Sequence, residues 1–98
     1  MRSEKNSLAD LKQIEKDWVA RGFSFGVWKD PPGQVWENFR HEADELFMVV
    51  SGRVELEMGG KHLFPSPGEE VLIPAKTYHS VYTSSDRPSK WLYGYRLK

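Results

Sequence analysis

Residues 45–60 read ELFMVVSGRVELEMGG, and this stretch decides the fold class. Glu45 to Val50 is a mostly apolar run that stops at Ser51-Gly52. Arg53 to Met58 then alternates without a break, with Val54, Leu56 and Met58 on one face and Arg53, Glu55 and Glu57 on the other. Successive side chains of a strand point to opposite faces, so this alternation predicts a half-buried strand. Gly59-Gly60 fits a two-residue hairpin, whose central positions need φ > 0.

The same grammar extends both ways. Downstream, a short strand over His62–Phe64 is broken by Pro65-Ser66-Pro67-Gly68. Glu70–Ile73 and Tyr78–Thr83 follow as strands, then a loop over residues 84–88, then a last strand over Trp91–Leu97. Upstream, Phe23, Phe25 and Val27 alternate with Ser24, Gly26 and Trp28. Asp30-Pro31-Pro32-Gly33 is a turn, because Pro fixes φ and Gly permits φ > 0. Val35–His41 reads as a mixed strand. About eight short strands with turn chemistry between them predict an all-β, closed or sandwiched antiparallel sheet.

Before residue 23 the period changes. Leu8, Leu11, Ile14, Trp18 and Val19 form one apolar stripe at helical spacing. Ser7 is the expected N-cap and Gly22 the expected C-cap. This segment, residues 1–22, is expected to cover one edge or mouth of a single domain whose barrel spans 23–98; docking a partner is the alternative.

Composition narrows the function. Ninety-eight residues allow one core. Fourteen basic side chains against fourteen acidic ones leave no net charge. The broad positive field that holds phosphate backbones is therefore missing, which argues against nucleic acid as a partner. Neutrality also permits self-association. The absence of cysteine excludes disulfides, thiolate metal sites and a cysteine nucleophile. The opening MRSEKNSLAD has no apolar core of signal-peptide length, and no run reaches membrane-spanning length. A cytoplasmic protein with no membrane partner is the expectation.

The chain has three histidines, His41, His62 and His79. His62 lies on a short strand and is expected at the surface. His41 and Glu45 are four residues apart, so along an extended strand they would share a side. His79 opens the next-to-last strand. If that strand lies beside the first pair, two imidazoles and a carboxylate converge inside the barrel. Such a set suits non-haem iron, manganese, nickel, zinc or copper. Without a metal, Glu45 inside would need a cationic histidine or hydrogen bonds to compensate it.

Two Gly-anchored motifs carry a resemblance. Gly33-x5-Phe39-x-His41-x3-Glu45-x6-Gly52 resembles the first cupin motif, and Gly68-x5-Pro74-x4-His79-x3-Thr83 the second, with fifteen residues between Gly52 and Gly68. The resemblance implies a cupin double-stranded β-helix, or jelly roll, with one short N-terminal helix. It places His41, Glu45 and His79 on three of four metal-ligand positions. Phe39 stands where the fourth ligand, a histidine, is usual, so a divalent cofactor held by three ligands and a metal-free pocket both stay open. Lys76 stands where Gly is common, and Thr83 where Asn is usual.

Alternation from His41 sends Val35, Glu37 and Phe39 inward, with Phe47 and Val49 on the Glu45 strand, Val81 and Thr83 on the His79 strand, and Trp91, Tyr93 and Tyr95 on the last. Phe39, Phe47, Val81, Thr83, Trp91 and Tyr93 are thus expected to line a pocket for a small molecule. Glu37 is the candidate general base if it is interior, or a solvated rim residue if it is not. Lys76 is either an anion contact at the mouth or a solvated loop residue. Two functions follow: a divalent-metal enzyme acting on a small oxygen-bearing metabolite, or a metal-free module that binds a sugar or carboxylate without turnover. The resemblance also implies a homodimer, and a purely structural dimer is the third reading.

Overall fold

A computed structural model describes residues 8–97. One helix, α1 (Leu8–Ala20), precedes eight strands: β1 (Gly26–Asp30), β2 (Val35–Phe39), β3 (Glu45–Ser51), β4 (Val54–Met58), β5 (Lys61–Leu63), β6 (Glu70–Ile73), β7 (His79–Thr83) and β8 (Ser89–Tyr95). They form two four-stranded sheets, ordered β1-β8-β3-β6 and β2-β7-β4-β5, and every pairing is antiparallel. This is the expected all-β jelly roll with one short helix.

The apolar run of β3 has a simple cause: the strand is covered on both faces. Phe47 and Val49 join Val54, Leu56, Ile73, Val81 and Trp91 in the core between the sheets. Leu46, Met48 and Val50 face the other way and pack with Leu92, Phe23 and Trp18. The helix therefore lies on the outer face of the β3–β8 sheet, where the sequence reading had placed it at an edge or mouth. Trp18 is fully buried, and its indole N–H donates to Glu70 Oε1 at 3.1 Å. Arg21 grips both oxygens of Glu70, at 3.0 and 2.7 Å. Leu11 and Ile14 follow Trp18 inward. Val19, 100° further around, does not, and is 56% exposed. Ser7 and the side chain of Leu8 lie outside the described residues. The helix ends in a Schellman motif. Gly22 takes φ 91°, its N–H reaches the Val19 carbonyl at 3.0 Å, and the Phe23 N–H reaches that of Trp18 at 2.9 Å.

Most strands differ from the sequence reading by a residue or two at their ends, β8 running Ser89–Tyr95 instead of Trp91–Leu97, and the first two strands differ for a structural reason. Phe23 leaves the expected first strand to pack beneath Trp18 and makes only an isolated bridge to Arg96, so β1 starts at Gly26. The second strand is shorter and bulged. Its pairing with β7 shifts between Trp36 and Phe39, where Asn38 adopts φ 59° and its N–H donates to Ser80 Oγ at 3.0 Å. The bulge reverses the alternation upstream of it, with consequences for the site.

Lys76 also has a left-handed backbone, φ 64°, fixed by its N–H donating to the His41 carbonyl at 2.7 Å. An L side chain there costs roughly 1 kcal/mol that glycine avoids. Lys76→Gly is expected to raise the thermal midpoint by several degrees, about 4–8 °C per kcal/mol in a domain of this size. Calorimetric melting checks it; an unchanged or lower midpoint would show that the position carries no strain.

Candidate metal centre and its aromatic pocket

Three connections hold the site. His41 lies just past β2, Glu45 opens β3 and His79 opens β7. Asp44 laces them together: its Oδ1 accepts the Ala75 N–H at 2.8 Å and its Oδ2 accepts from Arg96 Nε at 3.3 Å. The His41 carbonyl accepts from Lys76, as above. The segments before β3 and before β7 are thus tied at the same end of the sandwich.

One carboxylate oxygen is the focus. Glu45 Oε1 lies 3.5 Å from His41 Nε2 and 3.6 Å from His79 Nε2. It is buried and has no hydrogen-bond partner among the described residues. His79 Nδ1 faces the Thr77 carbonyl at 3.2 Å. A carbonyl only accepts, so Nδ1 carries a proton, and in the neutral ring this leaves the Nε2 lone pair facing Glu45. His41 Nε2 also lies 3.4 Å from the Tyr95 hydroxyl. One ligand atom from each of the three residues lies within 4.8 Å of the others. Donor atoms about 2.1 Å from a shared ion, at angles near 90–110°, stand roughly 3.0–3.4 Å apart. The donor set and spacing fit a divalent ion, and an orphaned carboxylate oxygen is what such an ion would satisfy.

The electrostatics agree with a site that lacks its own counter-charge. Burial pushes the Glu45 carboxyl up to about 7. Burial lowers His41, and the neighbouring His79 lowers it further. The Tyr95 hydroxyl is pushed up to about 12, first by burial and then by Glu45 and Tyr93. Each shift disfavours the charged form, so His41 does not rescue Glu45 by protonation.

Above this floor opens a cavity of about 210 Å³. Phe39, Phe47, Val81, Trp91 and Tyr93 line it, along with His41, Glu45 and His79. Thr83 does not: it is buried in the sandwich, its Oγ1 2.7 Å from Ser89 Oγ. Glu37 does not either. The bulge at Asn38 turns Trp36 inward and leaves Val35 and Glu37 exposed, with Glu37 facing the Tyr82 hydroxyl at 3.5 Å. An interior general base at Glu37 is thereby ruled out by placement. Lys76 is exposed and also outside the cavity lining. His62 sits on the edge strand β5, paired with Glu55 at 2.6 Å.

Sequence reasoning missed Trp28 and Trp36, which complete the wall. Both indole N–H groups donate to Asp30, at 2.7 and 2.9 Å, and Asp30 is only 3% exposed. The Trp28↔Trp91 register puts Trp28 beside the expected pocket residues. The bulge that admits Trp36 has no signal in the alternation pattern, apart from an Asn in mid-strand.

The comparisons with known proteins agree with this fold. The Cupin domain family matches residues 26–95. The DMSP lyase DddQ from Ruegeria pomeroyi is 28% identical, with a TM-score of 0.69 over 76% of this chain. This chain spans only 38% of that lyase's length. The Cupin_2 domain of an XRE family transcriptional regulator from Enterobacter cloacae is 25% identical, with a TM-score of 0.70, covering 83% of this chain and 88% of that one. A cupin 2 domain-containing protein from Halorhodospira halophila, 22% identical with a TM-score of 0.71 over 79% of this chain and 53% of that one, shares the fold. With the family matched over most of its length and both sheets in place, the chain belongs to the cupin domain family.

Proposed function

We propose that this cupin holds a divalent metal ion through His41, Glu45 and His79 and acts on a small oxygen-bearing metabolite in the cavity above it. The supporting observation is the orphaned Glu45 Oε1, aimed between two imidazole nitrogens at 3.5 and 3.6 Å. A bound ion there supplies Lewis acidity toward a substrate oxygen. The chain's own residues do the rest. Thr77 accepts from His79 Nδ1 and orients the ring, the aromatic side chains shape the cavity, and Tyr95 places a hydroxyl against the His41 edge of the site. The 28% identity with a DMSP lyase supports lyase chemistry among the reactions open to such a centre.

A second reading is a binding module without turnover. Phe39 favours it, because a phenyl ring occupies the wall between the two histidines, 6.3 Å from each ring, and cannot ligate. The likeness to a regulator's cupin domain also supports it.

The two readings respond differently to Phe39→His. If His41, Glu45 and His79 form a three-ligand centre, an imidazole at position 39 adds a fourth donor. Metal affinity is then expected to tighten at least about tenfold, or 1.4 kcal/mol. Competition against a chromophoric chelator measures this. Unchanged affinity in the variant would mean that position 39 does not face a metal centre.

A further inference from the structure

The wall of the cavity is built almost wholly of aromatic rings. From the mouth, Trp28 lies 6.0 Å from Trp36, 6.3 Å from Trp91 and 6.4 Å from Tyr93, centroid to centroid. Tyr93 continues to Tyr95 at 6.0 Å, and Tyr95 meets His41 at 4.8 Å. Three features give this wall a chemical preference. First, Trp28 and Trp36 have no free donor, since both N–H groups are spent on Asp30; what they offer a ligand is π surface. A charge-assisted bond to a carboxylate also polarises the indole and enriches its ring. Second, the buried acids among the described residues are Asp30 and Glu45, and no Lys or Arg is buried with them. Third, among the described residues no Lys or Arg lines the cavity, so a ligand's positive group meets no fixed positive side chain from them on the wall.

We infer that the wall takes an onium group, a trimethylammonium or dimethylsulfonium carrying its charge on methyls packed against Trp28, Trp36 and Tyr93. Such cations are weakly hydrated and bind the faces of Trp and Tyr, Trp best. The rest of the ligand follows from the floor. On the metal reading proposed above, on which this part rests, a carboxylate of the same molecule reaches His41, Glu45 and His79, so the substrate class is a short onium carboxylate, a zwitterion. The volume suits this: about 210 Å³ holds the equivalent of about seven waters at ~30 Å³ each. Asp30 is the positioning residue, holding both indoles without touching the ligand.

The test compares two probes of one shape. Trimethylammonioacetate and 3,3-dimethylbutanoate differ in a nitrogen cation replacing a neutral carbon. Calorimetric titration into metal-loaded protein is expected to show the cation binding at least tenfold tighter. Trp28→Leu, at a partly exposed position, is expected to erase that ratio, as is Trp36→Leu. Equal binding of the two probes, or tighter binding of the neutral one, overturns the onium assignment and leaves the metal reading intact. Failure of both to bind metal-loaded protein overturns it as well. Tetramethylammonium, which has no carboxylate, separates the two ideas. If the protein retains no metal yet binds this cation in a Trp28-dependent way, the aromatic site stands and the metal reading falls.

Discussion

Metal-free protein is expected to lose about 3 kcal/mol of stability through Glu45 as the pH rises from 4.5 to about 7. The direction is unusual for a carboxylate and follows from its surroundings. Burial holds the folded-state pKa above the unfolded value, so between the two the folded chain binds more protons than the unfolded one. Raising the pH through that window favours unfolding. His41 acts in the opposite sense. Its folded pKa is lowered, so its contribution is lost as the pH falls below 6.5. Glu45→Gln removes the first effect and keeps the second. Urea unfolding of both metal-free proteins across this range separates them: wild type weakens toward neutral pH and the variant does not. Parallel profiles would mean that Glu45 is solvated or hydrogen-bonded. A bound divalent ion reverses the wild-type trend, because it binds the ionised carboxylate.

Trp18→Ala should have an effect as large, at a place outside the candidate site. Trp18 is fully buried and fills the space between α1 and the outer face of β3 and β8. Deleting a buried large aromatic costs about 3–5 kcal/mol, a large share of the roughly 5–15 kcal/mol that keeps a domain folded. Trp18→Phe keeps the ring but gives up the bond to Glu70, and is expected to cost about 1 kcal/mol plus a smaller packing loss. Chemical denaturation of the two variants checks the order; a Trp18→Ala protein within 1 kcal/mol of wild type would show that the helix is not a structural cover. The link to function runs through β3. Leu46, Met48 and Val50 hold the helix, while Glu45 and Phe47, alternating with them, face the cavity.

What was legible in the sequence follows from which signals are local. Arg53–Met58 alternates because one face of β4 is core and the other half-exposed, and strand and hairpin could be read directly. His41, Glu45 and His79 were readable because short, Gly-anchored spacings survive in the chain. Val19 was not: the apolar stripe includes it, but the contact face of α1 is narrower than the stripe. Glu37 was misplaced by a single residue at φ 59°, since a bulge at Asn38 flips every upstream side chain to the other face. Thr83 follows the inward alternation correctly but sits too deep to reach the cavity, where Ser89 takes its hydroxyl. The wall formed by Trp28 and Trp36 depends on pairing across the sheets and on one buried Asp30, neither of which a period reveals.

The proposed metal centre is tested most directly by counting metal. Untagged protein, dialysed against divalent metals and then against buffer, is analysed by elemental mass spectrometry beside Glu45→Ala. The account predicts close to one equivalent retained by the wild type and little by the variant. No metal retained by either protein, or the same amount in both, would contradict it.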